Sequence, residues 1–135
     1  MSKPKRYSNF VLLIVVSLFI VVLGCKKDEQ RTTILGSWNC EEFSDIGQRN
    51  YQVSITRNYM QNEANEYIIN NFHNIGLTES TEVYVREIDK GELTITGTAA
   101  IDMSFTGKGV IASDFSRIEW VFKVNNNPNI RANYY

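Results

Sequence analysis

Residue types that commonly carry out chemistry are scarce in this chain. Histidine occurs once, as His73 between Phe72 and Asn74, and cysteine occurs twice, as Cys25 and Cys40. A metal site usually needs two or more nitrogen or sulfur ligands, and a catalytic triad needs a nucleophile and an acid beside its histidine. The sequence therefore predicts no catalytic residue, no metal site and no cofactor, and it predicts a structural or exposed role for His73.

Two short patterns match functional motifs only in their letters. Residues 107–112 fit G-x-G-x-x-A, but a dinucleotide site needs a helix after its glycine turn, and here a strand continues. We therefore predict a bent strand, with a bend or bulge at Gly107 and Gly109. Glu41 and Glu42 are neighbours on a predicted strand, so they point to opposite faces and cannot act together as acid and base.

Cys25 stands at the end of an apolar stretch, where its thiol could accept a lipid. Three basic residues lie among the first six, and residues 11–23 are apolar except Ser17. Thirteen helical residues span roughly 20 Å, less than the roughly 30 Å hydrocarbon core of a membrane. This pattern, ending at the small Gly24, predicts a secretory signal peptide of residues 1–24, cleaved between Gly24 and Cys25. An uncleaved membrane helix is the alternative.

Residues 22–25, Val-Leu-Gly-Cys, resemble the lipobox of bacterial lipoproteins. The resemblance implies that a diacylglycerol is attached to the Cys25 thiol and that cleavage makes Cys25 the first residue. Its free amine would then take a further acyl chain, and two or more chains give a stable membrane anchor. Residues 26–29, Lys-Lys-Asp-Glu, resemble the surface-export signal of Bacteroidetes-type lipoproteins. This implies an outer-membrane lipoprotein exposed at the cell surface. A periplasm-facing domain on a solvated tether is the alternative.

Composition excludes several classes of protein. The chain has 135 residues, 43% of them hydrophobic, which is enough for one folded domain and too few residues for a two-domain dinucleotide-binding enzyme. Without residues 1–24 it keeps 11 basic and 15 acidic side chains, and the net charge of −4 gives no attraction to nucleic acid. We expect residues 25–33 to be the lipidated cysteine and a polar linker, and residues 34–135 to be the folded domain.

The elements that must position these side chains are strands. Alternation is clearest after residue 116, where Ile118, Trp120 and Phe122 point to one face. Short connections predict antiparallel neighbours, and a last strand pairing with the first would remove the exposed edges of the sheet. The predicted strands are residues 37–43, 49–56, 65–71, 81–88, 92–97, 101–112, 117–124 and 130–135.

Gly36, Ser37 and Trp38 resemble the G-x-W signature of lipocalins. The mature chain is similar as a whole to small lipocalin-like lipoproteins of Bacteroidetes-type bacteria. The resemblance implies an all-β fold, a small antiparallel eight-stranded barrel. In that family the tryptophan closes one end of the barrel and packs against an arginine from the end of the chain. Arg131 is the matching residue, and Arg117 is a second candidate. The similarity also includes residues 35–41, 71–74, 105–109 and 118–120.

Two further side chains have candidate roles. Cys40 lies two residues after Trp38, on the same inward face, which predicts a small buried hydrophobe; an intermolecular disulfide is the alternative. Tyr84 points outward between Glu82 and Arg86, and its ring could stack on a sugar or a protein. The alternative for Tyr84 is a tyrosine that lies flat on the barrel wall.

We therefore expect a lipid-anchored, non-enzymatic β-barrel lipoprotein of the cell envelope. It would be a binding or accessory module for a small hydrophobic molecule, a glycan or a partner protein. A barrel of eight short strands is only just wide enough for its own side chains, so the alternative is a structural envelope component with a solidly packed barrel. An interior cavity of several hundred Å³ would favour the binding module. The side chains expected to fill the interior are Trp38, Trp120, Phe105, Phe122, Met103 and Tyr134.

Overall fold

The computed structural model describes residues 30–60, 64–100 and 102–135, which form one closed antiparallel sheet. The predicted all-β, eight-stranded barrel is confirmed. Gly24, Cys25 and the rest of the predicted signal peptide lie outside the described residues, as does most of the predicted linker. In the described part of the chain, no helix has the length and apolar character needed to span a membrane. The strands are β1 (Gly36–Ser44), β2 (Gly47–Arg57), β3 (Glu66–Asn70), β4 (Val83–Asp89), β5 (Glu92–Thr98), β6 (Phe105–Ile111), β7 (Ile118–Val124) and β8 (Ile130–Tyr134).

Alternation of apolar and polar residues explains why these segments form a barrel. On β7, Ile118, Trp120 and Phe122 are buried, while Glu119 and Lys123 are exposed. Because successive side chains of a strand point to opposite faces, each strand of this kind supplies one row to the interior and one to solvent. Each strand pairs with its neighbour in the sequence, and β8 pairs with β1. The sheet therefore has no free edge.

The barrel has two ends, which are named here by the aromatic residue that closes each. The Trp38 end holds the start of β1, the end of β8, and residues 58–60, 64–65, 90–91 and 112–117. The Phe72 end holds residues 45–46, 71–82, 99–100, 102–104 and 125–129, and it includes the 3₁₀ turns Phe72–Asn74 and Glu79–Thr81. Because the strands are antiparallel, consecutive connections alternate between the two ends.

The sixth strand is shorter than predicted. It begins at Phe105 instead of residue 101, and Met103 is 38% exposed, so the prediction that Met103 fills the interior is wrong. Two hydrogen bonds explain the difference. The backbone N–H of Ser104 donates to the side-chain oxygen Oδ1 of Asn125 at 2.7 Å, and the backbone N–H of Asn125 donates to the Ser104 carbonyl at 2.9 Å. These bonds tie Ser104 to the turn after β7, and the chain before it leaves the barrel wall.

The two glycines of β6 make room for large neighbours. A Cβ at Gly109 would lie 2.9 Å from the Trp120 ring, and one at Gly107 would lie 2.5 Å from the Phe122 Cβ. The register between β6 and β7 is continuous from Phe105 to Ile111, so the predicted bulge is not found in this pairing. Glycine is required at both positions because β7 occupies the space of the missing Cβ, with the Trp120 ring at Gly109 and with its backbone and the Phe122 Cβ at Gly107.

Candidate functional site

A buried carboxylate lies inside the barrel near the Phe72 end. Glu42 follows Trp38 and Cys40 at intervals of two residues on β1, so it shares their inward face, and it is 0% exposed. Arg49 and Tyr51 reach it from β2, and His73 reaches it from the 3₁₀ turn Phe72–Asn74. We call these four side chains the Glu42 cluster. Three separate parts of the chain therefore meet at one carboxylate.

Each oxygen of Glu42 accepts hydrogen bonds. The Tyr51 hydroxyl donates to Oε2 at 2.6 Å, and His73 Nδ1 lies 2.9 Å from the same oxygen. Arg49 Nη2 donates to Oε1. Burial alone would raise the pKa of Glu42, but the hydrogen bonds from His73, Tyr51 and Arg49 outweigh it and leave the pKa below its usual value. Glu42 is thus a carboxylate at neutral pH, held by a cation and two further donors.

The contacts of His73 decide which ring nitrogen carries a proton. Arg49 Nη2 lies 2.9 Å from His73 Nδ1 and 3.3 Å from Nε2. Nδ1 cannot both donate to Glu42 and accept from Arg49, and a guanidinium can only donate. A carboxylate is the stronger acceptor, so we assign a proton to Nδ1, which donates to Glu42 Oε2. His73 therefore satisfies a lone pair of Glu42 with an N–H group.

Residues 71–76, called the plug segment here, position His73 and Phe72. Asn71, His73 and Asn74 have left-handed backbone angles, with φ of 61°, 54° and 58°. Asparagine and histidine are among the residues that adopt this conformation most readily. The Asn71 side chain donates to the Gln52 carbonyl at 2.7 Å and accepts the Gly76 amide at 2.9 Å. The first bond fastens the plug segment to β2, and the second closes the segment on itself.

Phe72 enters the barrel from this segment. Its ring centroid lies 4.6 Å from that of Phe122, 5.3 Å from Phe105 and 5.6 Å from Trp120, in tilted and edge-on orientations. The ring of His73 lies beside the same two phenylalanines, at 6.0 Å from Phe105 and 5.8 Å from Phe122. Such edge-on arrangements are those that aromatic rings prefer. The interior at this end is therefore filled by a side chain that belongs to no strand.

Besides Arg49 Nε and Thr94 Oγ1, two buried donors in the interior have no hydrogen-bond partner among the described residues. Within residues 30–60, 64–100 and 102–135, neither Trp120 Nε1 nor the Tyr134 hydroxyl has a hydrogen bond, although both side chains are fully buried. The two rings are adjacent, with centroids 5.9 Å apart, and Trp120 also contacts Phe72. A buried donor without a partner costs about 1–3 kcal/mol. These atoms are therefore unused hydrogen-bonding capacity beside Phe72.

Cys40 lies in the same interior and has the role that the sequence predicted. It is buried and free, with a partner strand on each side. Burial raises the pKa of its thiol to about 12. The thiol therefore stays protonated at neutral pH and behaves as a small apolar group.

At the opposite end Trp38 is buried, and the arginine over its ring is not the predicted one. The guanidinium carbon of Arg31 lies 4.0 Å from the centroid of the Trp38 ring, and Trp38 Nε1 donates to the Ile34 carbonyl at 2.8 Å. Arg31 Nη2 also donates to the Ser37 carbonyl at 2.6 Å. The cation over the indole thus comes from the segment just before β1.

The prediction that Arg131 packs against Trp38 is wrong. Arg131 is exposed on β8 between buried Ile130 and Ala132, so it points out of the barrel while Trp38 points in. Its register partner on β1 is Phe43, near the Phe72 end. The second candidate, Arg117, is exposed and pairs with Glu119 at 2.7 Å.

Tyr84 lies on the outer wall of β4. A Cβ on Gly97 of β5 would lie 3.7 Å from Tyr84 Cδ2, and the Tyr84 hydroxyl donates to Glu82 Oε2 at 3.1 Å. Its side chain also lines an open cavity of about 590 Å³ together with Ile68 and Glu79. This geometry matches a tyrosine lying against the wall, and binding of a sugar or protein there stays a prediction.

The sequence analysis found His73 but missed the contacts that Glu42, Arg49 and Tyr51 make with it. A signal was present, because the alternation that places Trp38 and Cys40 inside also places Glu42 inside. Within the described residues, no group of three or more histidine, cysteine, aspartate or glutamate side chains could hold a metal ion. Comparison of the chain with protein-family models, with curated proteins and with solved structures gives no match.

Proposed function

We propose that this chain is a lipid-anchored, non-enzymatic lipoprotein of the outer membrane. It would act as a binding or accessory module whose lipocalin-like barrel is held at the membrane by lipid on Cys25. Support comes from the lipobox-like residues 22–25 at the end of an apolar stretch. The closed eight-stranded barrel, with Trp38 at the start of its first strand, is compatible with that family.

The observation that carries the non-enzymatic part is the burial of the Glu42 carboxylate. This carboxylate is fully enclosed and uses both oxygens for contacts with Arg49, Tyr51 and His73. A general acid or base must reach a substrate through at most one water, and with residues 71–76 in place both oxygens of Glu42 are occupied by the protein's own donors. The cluster therefore supports a structural role in holding the plug segment.

The filled interior favours a second candidate, a structural envelope component. Trp38, Phe72, Trp120, Phe122 and Tyr134 are all buried inside the barrel. The larger described cavities, of about 590 and 640 Å³, are open and are lined mainly by outward-facing side chains. A glycan or partner protein would then meet the outer wall, and a hydrophobic ligand would have to displace part of the filling.

Mass spectrometry of membrane-extracted protein tests the anchor. We expect an N-terminal Cys25 carrying a diacylglycerol thioether and a further acyl chain. Cys25→Ala should release the domain from membranes, whereas Cys40→Ala, the matched control at the other cysteine, should leave it anchored. An intact N-terminus, or a soluble product cleaved elsewhere, would contradict the proposal.

Protease added to whole cells tests surface exposure. If residues 26–29 are an export signal, protease should remove the domain, and replacing Lys27, Asp28 and Glu29 with alanine should protect it. Alanine at Asp89 and Lys90, in the exposed hairpin between β4 and β5, is the control for a general effect of charge. Equal protection of all three proteins would place the domain on the periplasmic side.

A further inference from the structure

We propose that the space filled by Phe72 and the ring of His73 is a binding site for a small neutral heteroaromatic molecule with an N–H group, of about the size of indole. In this structure the protein's own plug segment occupies that site. The inference rests on the proposed binding function, and it adds the place of the site and the class of ligand.

The first support is that the occupant lies outside the barrel strands. Phe72 and His73 belong to a connection between β3 and β4, so their withdrawal breaks no strand pairing. The walls they leave behind are on strands: Phe105 on β6, and Trp120 and Phe122 on β7. Among the described residues, every other aromatic side chain that is buried in the interior lies on a strand. Phe72 is the exception.

The second support is the chemistry of the present occupant. The plug segment places one aromatic ring among three others and, next to it, an N–H donor at 2.9 Å from Glu42 Oε2. When His73 withdraws, Oε2 keeps the Tyr51 hydroxyl but loses this donor. A buried carboxylate that lacks a donor is unfavourable, so a ligand that supplies a ring and an N–H group replaces what was lost.

The charges around Glu42 specify a neutral ligand. Arg49 already contributes one positive charge to the single carboxylate of the cluster. A cationic amine at the position of His73 would lie beside the Arg49 guanidinium, which is 2.9 Å from Nδ1 in this structure. A carboxylate ligand would instead meet Glu42 directly. A neutral N–H group meets neither repulsion.

The unpartnered donors of the interior extend the same site. Trp120 Nε1 and the Tyr134 hydroxyl lack hydrogen bonds among the described residues, and the Trp120 ring already contacts Phe72. A ligand that also carries an acceptor on its ring could use them. A hydroxyl or carbonyl substituent should therefore increase affinity over unsubstituted indole.

Calorimetric titration of the mature protein in lipid nanodiscs, with empty nanodiscs as the blank, tests the site. The probes are indole and benzofuran, which have the same shape but differ in the N–H group. Wild type should bind indole weakly, because the plug segment competes, and should bind it about five- to tenfold more tightly than benzofuran. Phe72→Ala should bind indole at least about tenfold more tightly than wild type, because the competitor is removed.

Two further variants separate a native site from a cavity made by mutation. Phe105→Ala removes a similar ring from a strand and should gain no preference for indole over benzofuran. His73→Ala keeps Phe72 but removes the contact with Glu42, so it should bind indole more tightly than wild type even if Phe72→Ala fails to fold. In wild type, saturating indole should increase amide hydrogen exchange in residues 71–76, because the segment is displaced.

The outcomes decide the proposal in both directions. Tighter indole binding by His73→Ala, with increased exchange of the plug segment, supports it. Indole binding by Phe72→Ala alone, with an unresponsive wild type and His73→Ala, would show only an engineered cavity and would overturn it. Equal affinity for indole and benzofuran would overturn the role of Glu42. The anchoring experiments use a different readout, so a protein without lipid that binds indole would overturn the proposed lipid anchor and leave this site standing.

Discussion

An aromatic side chain closes each end of the barrel, but the two side chains are held in place in different ways. At the Trp38 end, the indole is held by residues within seven positions of it in the sequence, Ile34 through its carbonyl and Arg31 through its guanidinium. At the Phe72 end, the Phe72 ring is held in place by its neighbour His73, which contacts Glu42. His73 and Glu42 are 31 residues apart in the sequence. The first closure is built into the start of β1, and the second joins a separate connection to that strand.

This difference teaches which closure can open alone. Trp38 is itself a residue of β1, so its removal from the interior requires the strand to move. The segment that carries Phe72 is attached to the barrel mainly by side chains, through hydrogen bonds of Asn71 and His73 and through the ring contacts of Phe72. Local opening occurs where few backbone interactions must be broken. We therefore expect the Trp38 end to contribute more to global stability and the Phe72 end to open first.

Trp38→Ala should give the largest effect. A buried tryptophan replaced by alanine loses its burial and leaves a cavity, which costs roughly 3–5 kcal/mol of unfolding free energy. Denaturant titration followed by circular dichroism measures this, and Cys40→Ala, on the same strand and face, is the control with a much smaller cavity. A loss below about 1 kcal/mol for Trp38→Ala would break the comparison, since the Trp38 end would then contribute little.

Glu42→Gln should cost about 1–3 kcal/mol, because Arg49 and His73 lose a charged acceptor. Since folding lowers the pKa of Glu42, the stability it provides is present above its usual pKa and is lost as pH falls through the lowered value. Wild type should therefore lose stability below about pH 4.5, and Glu42→Gln should lose less over the same range.

The control for this acid dependence is the other buried glutamate. Glu66 lies near the Trp38 end and accepts a hydrogen bond from Arg86 Nε at 2.9 Å. Glu66→Gln should be introduced into both wild type and Glu42→Gln. It should leave the difference between their unfolding free energies in acid unchanged. Identical pH profiles for wild type and Glu42→Gln would show that the carboxylate at the Phe72 end does not contribute through its charge.

Asn71→Ala should cost about 1–2 kcal/mol. Alanine removes the hydrogen bonds to Gln52 and Gly76, and it is less suited to a φ of 61°. Asn74→Ala is the matched control, because Asn74 has nearly the same φ but an exposed side chain without a hydrogen bond to a described residue. Amide exchange of residues 71–76 should increase more in Asn71→Ala. Equal effects of the two variants would assign the cost to the backbone alone.

Arg31→Ala should have the smallest effect, about 0.5–1 kcal/mol from the cation–π contact with Trp38. A double-mutant cycle with Trp38→Phe should show coupling for Arg31 and additivity within about 0.3 kcal/mol for Arg131. Coupling of Trp38 to Arg131 instead would mean that the Trp38 end is closed from β8 and not from the segment before β1.

Local pattern accounts for what could be predicted. The strands and the burial of Trp38 and Cys40 follow from alternation of side chains, which depends only on neighbouring residues. The order of the strands follows from the short connections between them. The plug segment could not be predicted in this way, because Phe72 lies in a connection with no periodicity. The position of Glu42 was missed because an inward charge contradicts the apolar pattern, and only its partners from β2 and residue 73 make its burial favourable. The choice of Arg31 over Arg131 depends on which end of the barrel each occupies, and this is known only once the strands are paired.

The pairing of β1 with β8 has a consequence for the order of events during folding. Cys40 of β1 pairs with Tyr134 of β8, ninety-four residues later in the chain, whereas every other strand pairing joins consecutive strands. Contacts between distant residues form slowly, because the entropy of closing a long loop is lost before the contact stabilises anything. The hairpins should therefore assemble first, as an open sheet with β1 and β8 as its edges, and closure should be the slow step. Until that step, both edges can pair with other chains, so folding yield should fall with protein concentration even though the finished barrel offers no edge.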